Sequence, residues 1–530
     1  MKKRLLGALL CVSMIAAMLA GCGSKEKSAD TKSKTSDANE LVMGVSSSVT
    51  NLNKHLETMK EGWLMLGAVY DELYMKTDSE IRYYLADSVD VSEDGLTVTL
   101  KLKDNLKWHD GEAITADDVV YTVNVLLDPA NTSDSSESVT YNGKTISAAK
   151  VDDLTVDITL QEPFSAFESE FGRIQIIPEH VFGGETTIKD DTENLNKAVG
   201  SGPFKLKEYK EGDSIVYERY DDYYRGKASL DQVVIKLMPD ESAQEAALQS
   251  GEISMMRITN QTKLDKYSAD DNYTVYNIPE ARLNYMAFNY QSPAMKDLDA
   301  RKAICLALNV DDIISGAYGS EELAIPAKNF CSPENLYYND EMEGYKQNIE
   351  EAKKLAKKSG LTDKPLHYIY NTARPNMKET AQIVQQQLKE IGVEVELEGL
   401  EGSEFFTHLF AAWITGETVE DTSWDMATNG MDQLNSDPAT KMTSWRGDLV
   451  SNGFYVSDAT NELWDKASQA LTAEEREQYY KELQVQMNED YAMYPMANTN
   501  YVIAVRKEFK GLDEIKRVPI FEDYLKITME

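Results

Sequence analysis

Several short runs of the chain alternate apolar and polar residues with a period of two. The clearest is Leu96, Val98, Leu100 and Leu102, interleaved with Thr97, Thr99 and Lys101, which predicts a strand with one buried face. Turns are expected next at Asp104-Asn105 and around Gly111, where φ can be positive. Thr115 then precedes "ADDVVYTVNVLL", in which Val119, Val120, Val123 and Leu126-Leu127 recur at helical spacing and Asp118 stands where a capping box places its acid. Phe204 and Leu206 predict another strand, Glu211-Gly212-Asp213 a turn, and Ile215 and Tyr217 an antiparallel return. Asp240 caps a helix that Gly251 ends. Ile349, Ala352 and Ala356 mark the sparse apolar side of a polar helix. "KETAQIVQQQLKEIGVEVELEGL" reads as helix, a stop at Gly392, and strand, with Val393, Val395 and Leu397 on one face. A second Thr-x-x-Glu box, Thr472 to Glu475, opens a late helix. Helices feeding strands belong to α/β units.

The first residues follow a different pattern. Lys2, Lys3 and Arg4 precede an apolar run, Leu5 to Leu19, that is short for a membrane span and reads as a signal peptide, residues 1–21. "LAGC", Leu19 to Cys22, resembles the lipobox of bacterial lipoproteins. That resemblance implies cleavage before Cys22 and lipidation of Cys22, which holds the protein at the extracytoplasmic face of the cell membrane. An ordinary signal peptide that contains a cysteine is the alternative. Residues 22–40, almost without aliphatic side chains, form a flexible tether, and folding is expected to begin at Leu41.

At 530 residues the chain exceeds what one core usually serves, so two or three domains are expected. The composition, 42% hydrophobic and 27% charged, is that of a folded protein. A net charge of −36 argues against a nucleic-acid partner, which would need basic patches, and against adhesion to anionic membranes by charge alone. Of four cysteines, Cys11 leaves with the signal and Cys22 takes lipid; Cys305 and Cys331 either pair or remain thiols.

The one segment that invites a catalytic reading is "NLKWHDGEAITADDVVYT", with Trp108, His109 and several carboxylates. Its acids have structural roles as turn and cap residues, and His109 has no second histidine or cysteine at ligand spacing. No G-x-S-x-G, H-E-x-x-H or C-x-x-C occurs, and the five histidines are scattered. No catalytic residue, metal site or cofactor is assigned.

The longer block "SVDVSEDGLTVTLKLKDNLKWHDGEAITADDVVYTVNVLLDP" closely resembles the signature of the solute-binding proteins that serve peptide and nickel ABC importers, family 5. Asn105 stands where that pattern has glycine. "IIPEHVF", "VGSGPFKLKEYKEGDSIVYERYDDYYRGK", "YMAFNYQSPAMKDLDARKAICLALNVDDII" and "YPMANTNYVIAVRKEFKGL" extend the resemblance over residues 41 to 530. It implies a two-lobed α/β fold of the periplasmic-binding-protein kind (type II), enlarged by an extra subdomain, with a ligand cleft between lobes joined by two crossing segments. The lobes implied are 41–280, with the subdomain at about 78–190, then 281–497, and a return of 498–530 to the first. The crossings are expected near Glu280–Phe288 and Pro495–Val505.

Between Phe405 and Tyr455, aromatic residues including Trp413, Trp424 and Trp445 are interleaved with Asn, Asp, Thr and Ser. That mixture reads as the wall of a wet cleft, with tryptophans plugging a core as the alternative. The resemblance places ligand-binding positions at Ser46, Ser47, Ser48, Glu61, Trp63, Tyr290 and Asn376, and in the segment holding Trp413, Trp424, Asn429, Gly430 and Asp432. Asp432, five residues before the Asp437-Pro438 pair, is the candidate partner for a peptide α-ammonium. The function implied is a monomeric, lipid-anchored receptor, not an enzyme, that captures short peptides and delivers them to an ABC permease. A receptor for a nickel chelate or oligosaccharide, or a peptide sensor without transport, would use the same fold.

Overall fold

The computed structural model describes residues 39–530 apart from positions 48, 50, 58–61, 63–64, 77–79, 142–143, 375, 416–419, 434–436, 442–444, 447–454, 456 and 515–522. Leu41 and Met43 bury one face of the first strand, β1 (Glu40–Val45). A four-stranded antiparallel sheet follows, built from β2 (Ala86–Val91), β3 (Thr97–Leu102), β4 (Ser147–Lys150) and β5 (Thr155–Thr159) in the order β2-β3-β5-β4. Helix α1 (Ala116–Leu127) packs on it. The alternation seen in the sequence is what fixes this layer: Val98, Leu100 and Leu102 bury their side chains against Val119, Val123 and Leu126 of α1. The capping box forms as expected, with Thr115 and Asp118 exchanging side-chain-to-backbone bonds. Asn105 and Gly111 both take positive φ, 62° and 96°, so the two turns fall where the sequence placed them.

Among the described residues the main sheet has eleven strands. The strand pair predicted around Gly212 is present as β6 (Phe204–Lys210) and β7 (Ser214–Arg219), followed by β8 (Gln232–Leu237). Helix α2 (Glu241–Ser250) is capped by Asp240 and closed by Gly251 at φ 79°. Then come β9 (Met255–Ile258), the long β10 (Tyr273–Phe288) and the short β11 (Ala324–Pro326). Helix α3 (Ile349–Ser359) leads to β12 (Leu366–Asn371), α4 (Met377–Glu390), β13 (Val395–Leu400), α5 (Gly402–Thr415) and β14 (Met426–Asp432). Helices α6 (Asp458–Gln469) and α7 (Ala473–Glu489), the latter capped by Thr472, precede the second long strand, β15 (Met493–Arg506).

Strand order is β6-β7-β8-β1-β9-β15-β10-β14-β12-β13, with β11 on the side of β15. The two long strands β10 and β15 pair antiparallel at the centre and join two hydrophobic cores. One core holds Leu41, Val233, Ile278 and Ile503; the other holds Met286, Phe288, Tyr368, Val384 and Met426. Between them β10 is bulged at Glu280-Ala281, and Ala281 sits in the left-handed region at φ 51°.

Cys305 and Cys331 are both buried free thiols, which settles the choice that spacing left open. Among the described residues no helix is long and apolar enough to cross a membrane.

Candidate functional site

Strand polarity locates the site. β1 runs parallel to β8 and β9, and β9 is antiparallel to β15, which is antiparallel to β10. β1 therefore runs in the same direction as β10, from the first core toward the second. β14 is antiparallel to β10 and parallel to β12, so both run back the other way. The carboxyl ends of β1 and β8 on one side, and of β12 and β14 on the other, thus point at the same boundary. Ligands of open α/β sheets lie outside strand carboxyl ends. Ser46 and Ser47 follow β1, Asn376 follows β12, and Asn429, Gly430 and Asp432 end β14, so this geometry brings those sequence-predicted residues to one boundary.

β14 also offers backbone there. Its pairing with β12 stops at Tyr370 opposite Thr428, whereas its pairing with β10 continues to Arg282 opposite Asp432. Residues Asn429–Asp432 therefore have one edge without a strand partner among the described residues. An extended chain laid along that edge would be held by main-chain hydrogen bonds.

The side chains around this edge form a polar group. Arg282 Nη1 pairs with Asp432 Oδ2 at 3.1 Å. A Cβ on Gly430 would come within 2.5 Å of the Arg282 guanidinium and of Asn284 Oδ1, so glycine is what lets the arginine lie across β14. Arg282 is also close enough to Tyr318 to oppose the burial that pushes its hydroxyl up to about 12. Asn376, at φ 64°, starts α4, and its carbonyl accepts from the Thr380 hydroxyl at 2.7 Å. Asn429 is turned to the opposite face and donates from Nδ2 to the Tyr285 hydroxyl, 3.1 Å. Beyond Asp432 the chain is pinned, since Gln433 N donates to Ala281 O at 2.7 Å and its side chain meets Ser332 N and Phe330 O.

Other expectations fall elsewhere. Trp424 is 2% exposed in a small core with Ile369, Leu400, Phe405 and Leu409, and Trp445 is 3% exposed in another, so these two tryptophans are core packing. Tyr290 lies past the far end of β10, roughly 20 Å or more from Arg282 at 3.3 Å per residue. It is fixed there by a bond to Ala492 O at 3.1 Å and by Arg301 over its ring. Ser48, Glu61 and Trp63 lie outside the described residues; Trp413 is within α5, its side chain likewise outside them. Asp437, of the Asp-Pro pair, is buried under the Tyr480 hydroxyl, which donates to it at 2.6 Å. Sequence reasoning missed Arg282, because its partner lies 150 residues away; only the unusual charge in an apolar strand pattern pointed to it.

The opening segment is architectural. Trp108 is fully buried, and the His109 ring is satisfied at both nitrogens, accepting from Gly200 N at 3.2 Å and bonding Gly202 O at 2.9 Å. Burial pulls its pKa down to about 4 and keeps it neutral. Among the described residues no three His, Cys, Asp or Glu side chains are grouped to hold a metal ion.

Residues 80–453 match the model of the bacterial extracellular solute-binding proteins, family 5 middle. The chain is 27% identical over 458 residues to the dipeptide-binding protein of Escherichia coli K12, covering 81% of this chain and 82% of that one. The solved structure of the ABC transporter substrate-binding protein CtaP from Listeria monocytogenes superposes with a TM-score of 0.85 at 33% identity, covering 93% of this chain and all of that one. DppA from Helicobacter pylori, an ABC transporter-associated periplasmic binding protein solved with the peptide STSA, gives 0.77 at 26% identity over 93% and 98% of the two chains.

Proposed function

As the chain belongs to the bacterial extracellular solute-binding proteins of family 5, substrate-binding proteins rather than enzymes, we propose that it captures short peptides outside the cell and delivers them to the permease of an ABC importer. In this reading Cys22 carries the lipid that holds it at the membrane, and it acts as a monomer without cofactor. The observation that carries the reading is the open backbone edge of Asn429–Asp432 at the meeting point of the strand carboxyl ends. An edge of this kind binds main chain, which every peptide has, and is tolerant of side chains. Ser46, Ser47 and Ser48 would supply hydroxyls from the facing lobe. Glu61, Trp63 and Asn376 would flank them. The lobes would run 41–280, with a return by 498–530, and 281–497, and would close on the ligand by bending at the crossings. The Escherichia coli relative is a dipeptide-binding protein and the Helicobacter pylori structure holds the peptide STSA; both support the same reading.

The test is native mass spectrometry of the chain from Gly23 onward, which keeps the whole compact unit 39–530, followed by denaturation to release what co-purified. A ladder of two- to six-residue peptide masses is expected. A single non-peptide mass, such as a metal chelate or a sugar, or a protein that ignores a peptide library, would overturn the peptide reading.

A further inference from the structure

The three strands at the boundary, β10, β14 and β15, contain two acidic residues in all, Glu280 and Asp432. Each faces an arginine. Glu280, 4% exposed, receives Arg257 Nη2 at 3.0 Å and the Thr499 hydroxyl at 2.9 Å. Asp432, whose side chain is 48% exposed, is paired with Arg282, whose side chain is 11% exposed and seated over Gly430. In a protein carrying a net charge of −36, both acids of these three strands are thus matched from within.

We propose that Arg282 is a specificity-determining residue that balances this end of the cleft, so that the bound chain is held by its backbone and needs no free α-ammonium. Peptides with a blocked or otherwise uncharged amino terminus are then taken as readily as free ones. An ammonium placed against the half-exposed Asp432 carboxylate gains from it but sits a few ångströms from the guanidinium, whose repulsion offsets much of that gain. Asp432 has a different first duty: without it, a nearly buried guanidinium is left unpaired. Weakened binding in Asp432→Ala would therefore not identify an ammonium partner, and Arg282 is the position that discriminates. This inference rests on the peptide reading.

The experiment is competitive capture from an equimolar library of two- to six-residue peptides, each present in free and N-acetylated form, with the retained peptides counted by mass spectrometry. Wild-type protein is expected to retain the two forms within about threefold of each other, while Arg282→Met shifts the ratio about tenfold or more toward free peptides, the change of one uncompensated charge contact. Exclusion of acetylated peptides by the wild type, or a ratio that Arg282→Met leaves unchanged, would overturn the proposal. The wild-type ratio decides even if that variant does not fold, and Arg282→Lys, which keeps the charge, should reproduce the wild-type ratio. Retention of neither form by the wild type would be the failure of the peptide reading itself.

Discussion

His55, in the loop after β1, is 4% exposed and bonds the Gln175 carbonyl through Nε2 at 2.6 Å. Burial lowers its pKa from 6.5 to about 4, so the folded protein holds it neutral. Its contribution to stability is complete above the unfolded pKa of 6.5 and is lost as the pH falls toward 4. At about 1.4 kcal/mol per unit, the loss amounts to roughly 3 kcal/mol. Asp71 works in the opposite sense, because burial raises it to about 6 and its penalty is relieved by acid. The two are separated by His55→Gln, which keeps a donor near Gln175. Denaturant unfolding of wild type and variant should show the wild type losing stability relative to the variant between pH 7.5 and 4, and a constant difference would refute the assignment. At this scale, what sequence reveals depends on range. The Thr115–Asp118 box and the positive φ of Gly111 are set by neighbours a few residues away and were legible. The Arg282–Asp432 pair and the burial of Trp424 depend on strands brought together across the chain and were not.

Elements were legible where a period stood alone clearly, as at β3, or agreed with a cap, as at α1 and α2. The bulge in β10 was not, because alanine is no signal for a left-handed residue. Ala281, at φ 51° and 1% exposed, has room for neither strain nor bulk. Ala281→Val is expected to cost about 2 kcal/mol or more, since a β-branched residue is an outlier at positive φ and the site is packed; an unchanged urea midpoint would show that the bulge can be re-formed without strain. A second link joins the β2–β5 subdomain to helices α6 and α7. Ser165 N donates to Ser468 O at 2.6 Å, Ser165 Oγ meets the Tyr480 hydroxyl at 3.1 Å, and that hydroxyl donates to Asp437. Phe164 and Ala166 pack into the same core as Trp464 and Tyr480. Tyr480→Phe removes the donor to a buried carboxylate and should lower unfolding free energy by about 1–3 kcal/mol, measured by urea denaturation. A loss well below that range would mean that Asp437 does not depend on this hydroxyl.

At the scale of the whole molecule, two cores on one sheet, joined by β10 and β15, follow from the order of α/β units, and the resemblance supplied the topology that periodicity alone does not. If Cys22 bears the lipid, as proposed, Cys22→Ser is expected to move the protein from the membrane fraction to the soluble extracytoplasmic fraction, followed by immunoblotting; retention on the membrane would refute lipid anchoring through Cys22. In the proposed complex a peptide lies along the Asn429–Asp432 edge, facing the loop after β1. Amide hydrogen exchange with and without a peptide library tests it most directly. Slowed exchange at Asn429–Asp432 and at Ser46–Ser48 together is expected on peptide addition. Peptide binding that protects neither segment would contradict it.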